Sequence, residues 1–177
     1  MATVRSTLAR PPALGRLAGH YLPDLVYGAN DGIITTFAVV SGVVGASLSE
    51  RVIVILGFAN LVADGFSMGA SNYLARRSHV EEDLADRRDA LRHAFATIVG
   101  FVIAGLLPLI AYLLPLEPEV QFPASIALAG AALFAVGAAR TFVTRRGLLR
   151  SGVEMLLVGS LAAVVAFGIG AFAASFA

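Results

Sequence analysis

The chain has 177 residues, of which 58% are hydrophobic and 14% are charged, against about 45–50% and 25% in soluble globular proteins. The formal net charge is only +1 and there is no cysteine, which excludes disulfides and thiolate metal sites. This composition is typical of a polytopic membrane protein, and we expect no nucleic-acid partner.

Five apolar stretches are each long enough for a membrane-spanning helix, which needs about 20 residues. They predict an all-α membrane protein with spans near residues 25–48, 52–75, 94–114, 122–139 and 153–176. Residues 1–20 then form a cytoplasmic tail, residues 21–177 form one transmembrane domain, and residues 76–93 form a short charged cytoplasmic loop.

The arginines predict the orientation in the membrane. All 13 basic residues are arginine, and only Arg51 falls outside the tail and the two loops that follow spans two and four. The positive-inside rule then predicts a cytoplasmic N-terminus and an outside C-terminus. The absence of lysine is typical of some bacterial genomes, so we expect a multi-pass protein of a bacterial inner membrane.

The first span carries an acid, Asp31, within the stretch YGANDGIITTF at residues 27–37. Asp-Gly between apolar residues also suits a hairpin turn, but the run that follows is too long and too rich in glycine and alanine for a strand. An ionisable residue inside a membrane helix is costly and often functional. Thr35 follows one turn later and could add a hydroxyl, or could hydrogen-bond to its own helix.

The second span repeats polar or sulfur-bearing residues every fourth position, at Asn60, Asp64, Met68 and Asn72. On a helix these residues fall on one slowly drifting stripe. Carboxylate and amide oxygens suit divalent cations, and a thioether favours Fe(II)-like ions. The predicted metal ligands are Asp31, Asp64, Met68, Asn60 and Thr35. Structural alternatives stay open, namely protonated or paired acids and a Met68 that only packs.

Both acid-bearing spans also carry glycines four residues apart, at Gly28/Gly32 and Gly65/Gly69. Such pairs let helix backbones approach closely. They predict a close contact between spans one and two at the level of the acids.

The loop between spans two and three mixes acids and arginines. It suits a solvated helical turn with acid–arginine pairs, or alternatively a site that gathers cations. The candidates for cation capture are Glu81, Glu82, Asp86, Asp89 and His79, with His93 nearby. Glu154, at the start of span five, suits the positive end of a helix dipole.

The sequence has no P-loop, dinucleotide-binding glycine set, GxSxG or HExxH motif. We therefore expect a secondary transporter and not an enzyme, with no permanently bound cofactor. Metal binding to buried carboxyl groups displaces protons, which would couple metal transport to proton exchange. Two alternatives stay open: a proton or cation channel, and a non-transporting membrane protein that recruits a soluble partner through residues 76–93.

Two long stretches resemble the first two spans of the vacuolar iron transporter family, which includes the nodulin-21-like proteins. They are DLVYGANDGIITTFAVVSG at residues 24–42 and NLVADGFSMGASNYL at residues 60–74; shorter likenesses lie at residues 105–114 and 152–159. The resemblance implies a homodimer of five-span subunits with a metal pathway between them. It also implies export of Fe²⁺ or Mn²⁺ from the cytoplasm, with protons moving the other way.

In this family, the Asp of the NDG motif and the Met of the SMG motif line the pathway, and they match Asp31 and Met68. Asn60 matches a position that is Glu in some relatives, with Asp64 one turn further on, so the chain departs from the pattern there. Well-studied relatives also have a cytoplasmic helical metal-binding domain between spans two and three. Here residues 76–93 are too few for a domain.

Overall fold

The computed structural model describes residues 13–78, 84–141 and 147–176. They form five helices: α1 (Ala13–Gly45), α2 (Glu50–Arg77), α3 (Leu84–Leu113), α4 (Pro118–Ala139) and α5 (Leu148–Ala174). Of these, α2, α3, α4 and α5 are long and apolar enough to cross a membrane, and the described ranges contain no strand. The prediction of an all-α polytopic membrane fold is confirmed.

The helices extend past the predicted spans at one end of the bundle. There α2 continues to Arg77, α3 already begins at Leu84, and α1 begins at Ala13. We call this end, which also holds the end of α4 and the start of α5, the arginine-rich end. Most of the predicted charged loop is therefore helical, as its closely spaced acids and arginines favour. Residues 79–83 lie outside the described part of the chain.

Helix α1 lies at the centre of the bundle. It contacts each of the other four helices, α3 most extensively, and buries Ile33, Phe37 and Val40 in the core. Asn30 and Asp31 interrupt its apolar run and place an amide and a carboxyl group within the predicted first span. A central position reduces the contact of such residues with lipid, which is costly for polar groups.

Glycines on α1 bring its backbone against α3. A Cβ atom at Gly28 would overlap the carbonyl oxygen of Thr97, and one at Gly32 would overlap that of Phe101. Only glycine therefore permits this approach, and α3 is the helix on which α1 is seated.

The second glycine pair also faces α3. A Cβ at Gly65 would meet the Phe101 ring at 3.3 Å, and one at Gly69 would crowd the side chain of Ile98. The expectation that the glycine pairs hold spans one and two together is therefore wrong. Because α3 takes up both close backbone contacts, α1 and α2 meet through longer side chains.

Candidate functional site

Polar side chains join α1 and α2 at two levels of their contact. Nearer the arginine-rich end, the Asn72 amide donates to Asp24 Oδ1 at 2.7 Å. Farther along, the Asn60 amide donates to Thr35 Oγ1 at 3.4 Å. Moving in one direction along α1 therefore means moving in the opposite direction along α2, so the two helices are antiparallel.

Two further pairs lie between these levels, at steps of about one helical turn. Asp31 and Asp64 are close enough for their charges to interact, and both are half-buried. Tyr27 and Met68 line one groove. We call the four pairs together the polar seam: Asp24/Asn72, Tyr27/Met68, Asp31/Asp64 and Thr35/Asn60.

The groove at Met68 opens the seam to the side of the bundle near its arginine-rich end. It has a volume of about 500 Å³ and is also lined by Ser71, Asn72 and Arg76. The Tyr27 side chain at its edge is 63% exposed. Met68 also packs against the hydrophobic core, so both its predicted role and the packing alternative are compatible with its position.

In the pair farthest from the arginine-rich end, Thr35/Asn60, side-chain oxygen atoms stay available for binding a cation. Thr35 donates its hydroxyl to the Asp31 carbonyl at 2.9 Å, which is the bond to its own helix anticipated from the sequence. Asn60 uses its nitrogen to reach Thr35 and Thr36, both at 3.4 Å. Neither of these two bonds uses the side-chain carbonyl oxygen of Asn60, which is the atom that binds cations.

Asp24 anchors the seam at the arginine-rich end, a role that the sequence analysis missed. Its side chain is 7% exposed and accepts hydrogen bonds from Asn72, from Arg76 Nη2 at 3.1 Å and from His93 Nδ1 at 2.6 Å. Burial acts to raise the pKa of Asp24, but these bonds and the Arg76 charge outweigh it and hold the pKa below its usual value. Its spacing of seven residues from Asp31, two turns on one helix face, was the available signal.

The residues predicted to capture cations do not form a single group in the described part of the structure. Asp89 lies 3.4 Å from His20 Nε2 and also 3.4 Å from His93 Nε2, whereas Asp86 is exposed and outside this group. Glu81, Glu82 and His79 lie outside the described residues. Glu154 pairs with Arg150 at 3.1 Å, one turn away on α5, in keeping with a structural role.

The sequence of this chain matches that of a known protein family. A family model described as the VIT family matches residues 22–92 and 78–171. The chain belongs to the VIT family. The resemblance inferred from the NDG and SMG motifs is thereby confirmed, and this VIT-family chain is an integral multi-pass membrane protein.

Three relatives illustrate the range of sequence identity and coverage within which this VIT-family chain matches known proteins. Vacuolar iron transporter 1 of Eucalyptus grandis is 25% identical, with 85% of this chain and 86% of the relative covered. Vacuolar iron transporter homolog 5 of Oryza sativa subsp. japonica is 28% identical, with 85% and 79% covered. Vacuolar iron transporter of Plasmodium berghei (strain Anka) is 41% identical over a shorter region, which covers 38% of this chain and 25% of the relative.

Proposed function

We propose that this protein transports Fe²⁺ or Mn²⁺ out of the cytoplasm along the polar seam, in exchange for protons. The observation that carries the proposal is the pair Asp31/Asp64. The two carboxyl groups are close enough to interact, and no arginine or histidine of the described residues forms an ion pair with either. Two like charges without a counter-ion favour the binding of either a proton or a cation.

The other seam residues support a divalent metal of borderline softness. Met68 lies about one turn from the acids and the Thr35/Asn60 oxygens lie about one turn away on the other side. Carboxylate, hydroxyl and amide oxygens with one thioether suit Fe²⁺ or Mn²⁺ better than Ca²⁺. The names of the three relatives, all vacuolar iron transporters or homologues of one, support iron.

Proton exchange follows from the same carboxyl groups. A metal ion binds the deprotonated form, so loading the pair releases any proton held there. When the metal leaves on the other side, protons can rebind. This cycle makes the protein a secondary transporter that needs no nucleotide site.

The seam also supports a homodimer with the pathway between its subunits. Asp31, Asp64 and Met68 are only half-buried within one chain. Beside them on α2, a stripe of small residues one turn apart, Ala59, Ala63 and Ser67, is exposed. Small residues permit close helix packing in membranes, and a second copy seated there would cover carboxyl groups that otherwise border lipid.

The arginine distribution supports a cytoplasmic position for the arginine-rich end. The groove at Met68 and Arg76 near that end would then receive metal from the cytoplasm, which agrees with export. The absence of lysine is the ground for a bacterial inner membrane as the location; the three relatives above, from plants and Plasmodium, do not test this prediction.

The proposal is tested by metal uptake into proteoliposomes. Asp31→Asn and Asp64→Asn should each slow Mn²⁺ transport by at least about tenfold, because each removes one anionic ligand. Glu154→Gln is the control, since it neutralises a carboxylate that lies away from the seam and pairs with Arg150. Transport at the wild-type rate in both seam variants, with correctly folded protein, would refute the proposal.

A further inference from the structure

The arginine-rich end holds a second group of metal-ligating side chains, outside the polar seam. We propose that His20, Asp89 and His93, called here the His–Asp–His cluster, bind a borderline divalent transition-metal ion such as Fe²⁺, Co²⁺ or Zn²⁺. His20 comes from α1, and Asp89 and His93 lie one turn apart on the same face of α3.

The distances within the cluster fit a coordination sphere. His20 Nε2 and His93 Nε2 are 3.1 Å apart, and each lies 3.4 Å from an oxygen of Asp89. Ligand atoms held about 2.1 Å from one metal ion are about 3.0–3.4 Å from each other in octahedral or tetrahedral geometry. A metal ion could therefore bind without large movement of any ligand.

His93 is oriented as metal-binding histidines are. Its ring is 3% exposed, and its Nδ1 lies 2.6 Å from Asp24 Oδ2. A carboxylate can only accept there, so Nδ1 carries the proton and Nε2 is the ring nitrogen that a metal ion would bind. A carboxylate behind a histidine in this way fixes the ring and strengthens its metal binding.

Aromatic packing holds the two rings in place before any metal arrives. The ring centroids of His20 and His93 are 4.6 Å apart, and the Tyr21 ring lies 4.9 Å and 4.8 Å from them. The Tyr21 hydroxyl also donates to Asp89 at 3.5 Å. Pre-positioned ligands lower the cost of binding.

The ligand set selects the class of ion. Two imidazoles and one carboxylate suit transition metals, whereas Mg²⁺ and Ca²⁺ prefer all-oxygen sites. The side chains of His20 and Asp89 are 53% and 47% exposed, so water can complete the coordination. Arg76 lies nearby, but its positive charge is compensated by its ion pair with Asp24. Because Asp24 also belongs to the first pair of the seam, the cluster lies directly beside the seam.

The test measures Co²⁺ binding to the full-length, tag-free protein in detergent. Visible absorption reports the ligands of the ion, and equilibrium dialysis with metal quantification gives the number of ions bound. Asp31→Asn/Asp64→Asn is used as the background, so that seam binding is removed and a failed seam proposal does not affect the result. We expect one Co²⁺ per chain with an absorption band typical of nitrogen ligation.

Single changes in that background then locate the site. His20→Ala and Asp89→Asn, both at partly exposed positions, should weaken Co²⁺ binding by more than about tenfold, and Asp24→Asn by about 10- to 100-fold through His93. Asp86→Asn removes the same charge from the same helix, three residues away and outside the cluster. Absence of binding, or equal weakening by Asp86→Asn and Asp89→Asn, would overturn the proposal and leave the cluster as a hydrogen-bonded group.

Discussion

At the scale of residues, three aspartates of one interface have different surroundings. Asp24 receives hydrogen bonds from three side chains and an ion pair from Arg76. Asp31 and Asp64 lie close to each other with no cationic partner in the described ranges. Chemically identical side chains therefore serve as a structural anchor in one case and as a proposed cation site in the other, because their neighbours differ.

Asp24→Asn should destabilise the protein by about 1–3 kcal/mol at neutral pH, since charge-assisted hydrogen bonds to a buried carboxylate are lost. The pKa of Asp24 is lowered by folding, so its contribution is complete above the unfolded pKa of about 3.9 and disappears as the pH falls through the folded pKa. Thermal unfolding followed by circular dichroism should thus show a wild-type advantage that shrinks below about pH 4. An advantage of constant size across that range would contradict the role of the charge.

Met68→Leu preserves side-chain volume and removes only the thioether, so the fold should be retained. Because sulfur favours softer ions, the variant should transport Fe²⁺ less well relative to Mn²⁺ by several-fold. Competition between the two metals in proteoliposomes measures this ratio. An unchanged ratio would assign Met68 to packing alone.

At the scale of elements, the contact between α1 and α3 decides how the seam is held. Gly28 and Gly32 allow the α1 backbone to rest on α3, and polar residues of α1 face α2 across a less extensive contact. A close backbone contact on one side of α1 and a smaller, polar contact on the other suit a path along which ions move.

Gly32→Ala should cost about 1–3 kcal/mol, the usual penalty of overpacking, because the added methyl group would overlap the Phe101 carbonyl. Gly168→Ala on α5 is the matched control: nothing lies within 4 Å of its Cβ position, and alanine is the better helix former. Melting temperatures in detergent compare the two. Equal stability of both variants would contradict the close α1–α3 contact.

At the scale of the whole molecule, the proposed dimer can be examined cleanly because the chain has no cysteine. Ser67→Cys places a thiol on the small-residue stripe beside the seam, and Ser160→Cys places one on the exposed surface of α5. In native membranes, oxidation should join two subunits through residue 67 and not through residue 160. The reverse pattern would place the subunit contact on α5 and leave the seam facing lipid.

The sequence predicted much of this molecule for identifiable reasons. Long apolar runs and segregated arginines predict helices, and period-four spacing placed Asn60, Asp64 and Met68 on one face. The helix that packs against each glycine pair was not predictable. Periodicity shows that one face of a helix carries small residues, but not which other helix covers that face. His20 and Asp89 are 69 residues apart in the chain, so their contact depends on how α1 packs on α3.

The most direct test of metal–proton exchange records both fluxes at once. Proteoliposomes containing a metal-quenched dye and a pH dye are given outside Mn²⁺ and a proton gradient, for wild type and for Asp31→Asn. We predict Mn²⁺ entry accompanied by proton exit, both lost in the variant. Proton flux without metal would instead indicate a channel. The absence of both fluxes in folded wild-type protein would contradict transport altogether and favour partner recruitment through residues 76–93.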